Sequence, residues 1–263
     1  MSDSPLQRFE QLRATAREHD GHPPFSDGAL VEFARGEREL IWRGDAAALA
    51  SATTAEFAVD PAHRRSGQGR AMLELLQSTR QSLLVWAHGD LPGASALAAE
   101  KGLSRERTLL HLRGAVFESD IPGVTPFDDA DIDEWLDLNA RAFAYHPQQG
   151  AITREDLAVL MAQPWFSRDD LLVMRERGRM VAYTWMKVDG ALGEFYIVGV
   201  DPERQKSGLG RTMMEAGFGH LADKGIRSAH LYVDPSNVAA VRLYRSMGFY
   251  DHAVDVQYGW VAG

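Results

Sequence analysis

Apolar residues at Leu6, Phe9, Leu12 and Ala16 recur at helical spacing and predict an opening helix. A loop from Gly21 to Asp27 with two prolines ends it. The period then shortens. Leu40–Arg43 and Ala55–Val59 read as short strands, Gly69–Ser82 as a helix, Leu83–Ala87 as a strand, and Ala94–Lys101 as a helix stopped by Gly102. Leu109–Val116 closes the first half as a further strand. Ser119–Asp131, with Pro122, Gly123, Pro126 and several aspartates, fits neither period and is the predicted boundary between segments 1–118 and 119–263.

The second half replays this order. Helix Ile132–Phe143, a loop around His146-Pro147, helix Arg154–Met161 and strands Leu171–Arg175 and Met180–Val188 come first. Asp189-Gly190 marks a turn into strand Gly193–Val200. Helix Gly210–Lys224, strand His230–Val233, helix Asn237–Met247 and strand Val254–Trp260 complete it. The predicted fold class is α/β: two tandem domains, each a mixed α+β sheet.

One device is carried twice. Val59-Asp60-Pro61, followed by Arg64, Gly67, Gly69 and Arg70, recurs at constant offset as Val200-Asp201-Pro202, followed by Gln205, Gly208, Gly210 and Arg211. Each copy is an apolar run ending in Asp-Pro, then a short basic loop with two glycines at a helix entrance. Such a turn exposes main-chain N–H groups to an anion. Arg64, Arg65, Arg204 and Lys206 make the loops basic. A dinucleotide fingerprint needs a third glycine where Met72 and Met213 stand, and a Walker loop needs Gly-Lys-Ser/Thr, so neither fits. Leu97–Leu103 also aligns with Leu243–Phe249, each ending in glycine and a large apolar residue.

Length agrees with two domains, since 263 residues exceed what one core usually serves. A net charge of −9 argues against nucleic-acid or anionic-membrane partners, so a polyanionic ligand must be held by local loops. The absence of cysteine excludes a disulfide frame, thiolate metal ligands and a thioester formed on the enzyme. No signal-peptide core or membrane-length apolar stretch is present, and no metal-ligand spacing appears. A cytoplasmic monomer with no membrane, nucleic-acid or metal partner is the expectation.

The order strand, Q/R-x-x-G-x-G/A loop, helix, strand, then an Asn-initiated helix bearing Tyr and closing in Gly-Phe resembles the GNAT family of acetyl-CoA-dependent N-acetyltransferases. It runs from Val198 to Arg211 and from Leu231 to Phe249. Over nearly the whole chain, Ala142–Gly150 with His146-Pro147, Pro164-Trp165-Phe166, and Leu231–Asp234 through Asn237 to Arg242 are similar to the mycothiol synthase family. Those enzymes acetylate the cysteinyl amine of cysteinyl-glucosaminyl-inositol.

The resemblance implies acetyl-CoA as co-substrate and a small-molecule amine as acceptor. Val198, Gly199 and Val200 would pair with the pantetheine arm. Gln205, Lys206, Ser207, Gly208, Leu209, Gly210 and Arg211 would hold the pyrophosphate. Asn237, Val238, Ala239, Ala240, Val241 and Arg242 would complete the wall. Glu194 matches the family's general base and Tyr244 its acid. With a period of two, Glu194 should share a face with Tyr196 and Val198, and an α-amine with a pKa near 7.7–8 needs only a modest base. Acceptor contacts carried over are Asp27, Gln148, Lys187, Glu194 and Tyr232. At Gln148 the family pattern has an acid, and an amide cannot pair with an ammonium.

In the first half the constant offset puts Thr53 where Glu194 stands, and the helix alignment puts Ala98 where Tyr244 stands; neither exchanges protons at neutral pH. The loop survives with Phe57, Ala58 and Val59 ahead of Arg65, Ser66, Gly67, Gln68, Gly69 and Arg70. This half either binds acetyl-CoA without turning it over or serves as scaffold. Two other readings stay open: a GNAT enzyme for another amine (aminoglycoside, polyamine or protein N-terminus), and a module that senses acetyl-CoA without chemistry.

Overall fold

Ser4 caps the first helix, α1 (Pro5–Asp20), through a capping box with Gln7, and Ser26 caps the second, α2 (Asp27–Ala34). The computed structural model describes residues 4–144 and 149–262. The chain continues through β1 (Glu39–Arg43), β2 (Ala46–Ala50), β3 (Thr54–Val59), α3 (Gln68–Ser78), β4 (Ser82–Ala87), α4 (Pro92–Glu100) and β5 (Ser104–Ala115). Then come β6 (Val124–Pro126), α5 (Ile132–Ala142), α6 (Arg154–Met161), β7 (Leu171–Glu176), β8 (Arg179–Asp189), β9 (Leu192–Val200), α7 (Leu209–Asp223), β10 (Ser228–Val233), α8 (Val238–Ser246) and β11 (Tyr250–Val261). Among the described residues no helix is long and apolar enough to cross a membrane.

Two compact units emerge. Unit 1 runs to Leu110 and takes back the chain from Ala253; unit 2 is His111–His252. The expected division after residue 118 therefore differs from the observed one at both ends. The reason is strand exchange: β4 takes β11 as its antiparallel neighbour, Ala87 facing Val256 and Ser82 facing Val261, while β10 takes β5. The final strand thus closes unit 1, and the strand expected to end the first half runs into unit 2.

In unit 1, β1, β2 and β3 are antiparallel neighbours, and β3 and β4 are parallel. Strand β2 was not expected from the sequence. Its five residues are all buried because both faces are covered: Ala46, Ala48 and Ala50 join a cluster with Met72, Leu76 and Val256, while Ala47 and Leu49 join Phe9, Leu12 and Phe25. A strand buried on both sides shows no alternation, and alanine is a poor strand former.

In unit 2, β6 to β9 form antiparallel neighbours and β10 joins β9 in parallel. Trp135 of α5 packs on Tyr183 and Trp185 of β8, and Phe218 of α7 on Phe195 of β9. All but Phe195, which is 4% exposed, are fully buried, each contributing roughly 1.5–3 kcal/mol or more of apolar burial.

Candidate active site

A fork in the sheet of unit 2 sets the site. Strands β9 and β10 pair only through Leu192–Ser228, Gly193–Ala229 and Glu194–His230, after which their registered ladder ends. The edge of β9 from Phe195 to Val200 is bonded to β8 on its other side and, among the described residues, has no registered strand partner on the β10 side. An open edge of this kind presents main-chain N–H and C=O groups to an extended ligand.

A β-bulge re-aims the strand at this point. Trp185 faces Ile197 and Met186 faces Phe195, so Tyr196 is the extra residue. Phe195 and Val200, an odd number of positions apart, consequently both face α7, Phe195 on Phe218 and Val200 beside Gly210. Tyr196 packs on Trp165 and Trp185 on the opposite face, where a Cβ at Gly199 would meet Tyr183. The expectation that Glu194, Tyr196 and Val198 share one face is therefore corrected: Val198 lies with Val200 on the α7 side, because the inserted residue shifts the alternation.

Glu194 and Lys187 face each other across β9 and β8. The Lys187 ammonium sits 4.8 Å from the centre of the Trp165 ring. On the β10 side, His230 Nε2 is 3.8 Å from Glu194 Oε2. His230 Nδ1 is 2.8 Å from His111 Nε2 on β5, and the His111 ring stacks on Tyr232 with centroids 4.5 Å apart. Burial, reinforced by His111, Lys187, Arg113 and His252, pushes His230 down to about 3, so its imidazole is neutral at physiological pH. Lys187, Glu194 and Tyr232 are thus gathered around one imidazole pair. Asp27 belongs to unit 1, where it opens α2 behind its cap Ser26. Gln148 lies outside the described residues.

Tyr244 is on α8, which Asn237 caps by accepting the Ala240 N–H. Its ring meets Phe249 edge-on at 6.0 Å, and Phe249 in turn meets Phe195 and Phe218, placing Tyr244 on the α7 side of β9. Burial pushes the phenol up to about 12, keeping it protonated. A carboxylate on one face of the strand and a phenol on the other thus flank the fork.

Below the fork, the Gln205–Arg211 loop enters α7. Lys206 (φ 62°) and Gly208 (φ 93°) are left-handed, and no side chain caps the helix at Gly208. Gly210 lies close beneath Val200 and Leu243. Unit 1 repeats the turn: Arg65 (φ 59°) and Gly67 (φ 84°) are left-handed, and Gly69 lies close to Val59 and Leu97. Ser66 donates to the His63 carbonyl as Ser207 donates to that of Arg204. Successive main-chain N–H groups in such a turn form a concave anion cradle. Four arginines of the two loops also have protein partners. Arg64 turns inward, donating to both Asp20 oxygens at 2.7 Å and to the Val59 carbonyl, and Arg204 pairs with Glu176. Arg70 reaches Glu100, and Arg211 reaches Ser246 and Glu215. These arginines brace helices and strands, because a partner carboxylate or hydroxyl lies within reach of each.

The fork recurs in unit 1 with other chemistry. The β3–β4 ladder ends at Glu56–Trp86, so the ladder-end carboxylate is Glu56, and Thr53 is not the structural counterpart of Glu194. The constant offset fails by one because β9 carries the extra Tyr196 and β3 pairs with β2 without a bulge, which brings Glu194 level with Thr54; Glu56 ends the ladder because β3 and β4 pair two positions nearer the loop. Glu56 is buried, accepts from Ser26 N–H and Oγ, and pairs with His88 at 3.0 Å; His88 also meets Asp255 at 2.8 Å. Ala98 is a core residue. His230 and His111 carried no signal in the sequence, since their meeting depends on which strands become neighbours; Trp165 entered only through the family resemblance of Pro164-Trp165-Phe166.

Residues 132–249 match the Acetyltransferase (GNAT) family. A mycothiol acetyltransferase of Thermomonospora curvata is 41% identical, with 98% of this chain and 94% of that protein covered. A mycothiol acetyltransferase of Clavibacter michiganensis subsp. michiganensis is 42% identical over 94% of this chain and 89% of its own. In fold, the chain matches a GCN5-related N-acetyltransferase from Sphaerobacter thermophilus (TM-score 0.69, 18% identity, 99% and 94% covered). It also matches a tandem GNAT protein from the clavulanic acid biosynthesis pathway (TM-score 0.66, 19% identity, 98% and 95% covered). By its fork, its glycine loop and this identity along nearly its full length, the chain belongs to the mycothiol acetyltransferase family of GNAT enzymes.

Proposed function

We propose that this chain acetylates the cysteinyl amine of cysteinyl-glucosaminyl-inositol with acetyl-CoA, and that unit 2 carries out the transfer. The observation that carries the assignment is the β9–β10 fork ending at Glu194 and His230. Acetyl-CoA supplies the activated acetyl group. It fits the cradle, where left-handed Lys206 and Gly208 lead into a helix start without a side-chain cap. Main-chain N–H groups of Lys206 to Gly210 bind the pyrophosphate there.

Val198, Gly199 and Val200 align the pantetheine arm along the open edge, and N–H groups of that edge donate to the acyl oxygen as it gains charge. Glu194 takes the proton from the amine as the nitrogen bonds to the acyl carbon. Tyr244 gives its proton to the sulfur as the carbon–sulfur bond breaks, and recovers one from solvent. Lys187 and Tyr232 line the acceptor side with Glu194. Unit 1 keeps the cradle while its ladder-end carboxylate is sealed by His88 and Ser26, so it binds acetyl-CoA without chemistry.

The test follows CoA thiol release against a panel of amines with wild type, Glu194→Gln and Tyr244→Phe. Turnover confined to the cysteinyl sugar amine, and lowered by about 10²-fold or more in each variant, supports the assignment. Equal turnover of unrelated amines, or full activity in Glu194→Gln, overturns it.

A further inference from the structure

We propose that His230 and His111 form a relay that carries the proton collected by Glu194 away from the acceptor site toward His252 at the surface of unit 2. The inference rests on the reading of Glu194 as the base. Four groups stand in sequence. Glu194 is half-buried at the apex of the fork, His230 Nε2 lies 3.8 Å from it, and His230 Nδ1 lies 2.8 Å from His111 Nε2. The exposed His252 sets its ring edge-on to His111 with centroids 5.1 Å apart. His111 and His230 are 4% and 9% exposed, so bulk water has little access to the inner part of the line.

Two buried imidazoles sharing one short hydrogen bond are an unusual choice for structure alone, since an apolar or amide pair would fill the same space without a tautomer to specify. The shared proton gives the pair two states. In one, His111 Nε2 donates to His230 Nδ1, and His230 Nε2–H points to the Glu194 carboxylate. In the other, His230 Nδ1 donates to His111 Nε2, and His230 Nε2 is free to accept.

The relay converts the second state into the first. Protonated Glu194 gives its proton to His230 Nε2 through one water bridging the 3.8 Å between them, His230 Nδ1–H passes to His111 Nε2, and His111 Nδ1–H leaves to His252 or water. Glu194 ends as a carboxylate, each imidazole keeps one N–H, and the proton abstracted from the amine is balanced by the one released. Resetting the pair takes one proton from solvent onto His111 Nδ1 at the outer end and releases the one on His230 Nε2 to water at the acceptor end after product has left. The groups that face His230 are Glu194 from β9, Lys187 from β8, His111 and Arg113 from β5, Tyr232 on its own strand and His252 from β11. Burial, reinforced by the positive groups among them, keeps His230 neutral, so it passes a proton without storing one. Both histidines are positioning and relay residues; they act through Glu194.

The test uses the whole chain in single-turnover experiments with acetyl-CoA and the cysteinyl sugar amine, comparing wild type, His111→Gln, His230→Gln and Glu194→Gln. The expected result for both histidine variants is a transfer rate lowered about tenfold, short of the hundredfold at which direct acid–base groups begin. Acetyl-CoA affinity is unchanged, and added imidazole restores much of the rate. In wild type the rate against deuterium fraction should be curved, as expected when more than one proton moves; this reading needs no variant to fold. A linear or flat dependence in wild type, or folded histidine variants with unchanged rates, overturns the relay. Full activity in Glu194→Gln overturns the base assignment beneath it, whereas loss in Glu194→Gln with intact histidine variants overturns the relay alone.

Discussion

Glu56 and His88 stand 3.0 Å apart inside unit 1, at the ladder end where unit 2 presents Glu194. Burial alone would push His88 down, but Glu56 and Asp255 outweigh it and raise the imidazole to about 10. Burial likewise pushes Glu56 and Asp255 up, and the His88 charge holds both below their ordinary values. Unit 1 thus closes its ladder-end carboxylate into a charge cluster three residues before Val59, whereas unit 2 leaves Glu194 addressable at the end of a ladder that stops farther from Val200.

That cluster makes stability depend on pH in a defined window. His88 is raised on folding, so its contribution is complete below its ordinary 6.5 and is lost as pH rises toward about 10. Glu56 is lowered, so its contribution is present above 4.5 and lost as pH falls. Denaturant unfolding should therefore show the contribution at its maximum between about pH 4.5 and 6.5. His88→Gln should cost about 3–5 kcal/mol at neutral pH, because it strands two buried carboxylates. It should also flatten the decline above neutrality; a variant that keeps the wild-type alkaline slope refutes the account.

Arg64 gives a second stability prediction that separates loop charge from loop architecture. Its guanidinium holds Asp20 bidentately, and burial of Asp20 is outweighed by this pairing, which lowers its pKa. Arg64→Ala should cost roughly 1.5–3 kcal/mol through lost charge-assisted bonds, with the difference from wild type shrinking as pH falls below 3.8. Arg65→Ala should leave unfolding within about 0.5 kcal/mol of wild type. Equal losses in the two variants contradict the division of labour.

How much of this was legible beforehand follows from what each feature depends on. The strand–loop–helix repeat could be read because its determinants are local: Asp-Pro ends a strand, and left-handed Gly67 and Gly208 sit where a side chain would be strained. Strand β2 was hidden by having both faces covered. The Tyr196 bulge was hidden because it is a matter of pairing with β8, and with it went the constant alignment of Glu194 to Thr53. The exchange of β5 and β11, and the meeting of His111 with His230, depend on which distant strands become neighbours. No local pattern encodes that.

Gly199 links core packing to the open edge. A Cβ there would stand 2.3 Å from the Tyr183 ring, whose hydroxyl donates to Asn139 Oδ1 at 2.6 Å in a fully buried position. Gly199→Ala should destabilise unit 2 by about 1–3 kcal/mol through overpacking. It should also raise KM for acetyl-CoA, because the strand that yields is the one proposed to align the pantetheine arm. Gly199→Ala with Tyr183→Leu should regain part of the stability. A destabilised single variant with unchanged KM separates the edge from cofactor binding.

Tyr244 should not limit the reaction at the pH where a free phenol titrates. Burial raises its phenol to about 12, so it remains a proton donor beyond the ordinary phenol value. The alkaline limb of kcat should therefore not begin at the ordinary phenol value of 10.0, and Tyr244→Phe should lower kcat by about 10²-fold without introducing a new limb. A wild-type limb near 10 that vanishes in Tyr244→Phe would show the phenol titrating in place, against its burial.

The two loops lead to a count. Arg65 and Lys206, and Gly67 and Gly208, share their left-handed dihedrals, and each pair opens a helix without a side-chain cap. Matching main-chain cradles should bind matching pyrophosphates, whatever chemistry the fork above them retains. Calorimetric titration with acetyl-CoA should give two equivalents per chain in wild type. Gly67→Val, which forces a β-branched side chain into the left-handed region, should remove one equivalent and leave turnover near wild type. The same substitution at Gly208 should remove the other and abolish turnover. One equivalent in wild type, unaffected by Gly67→Val, would assign unit 1 to scaffold and leave its loop a relic of duplication.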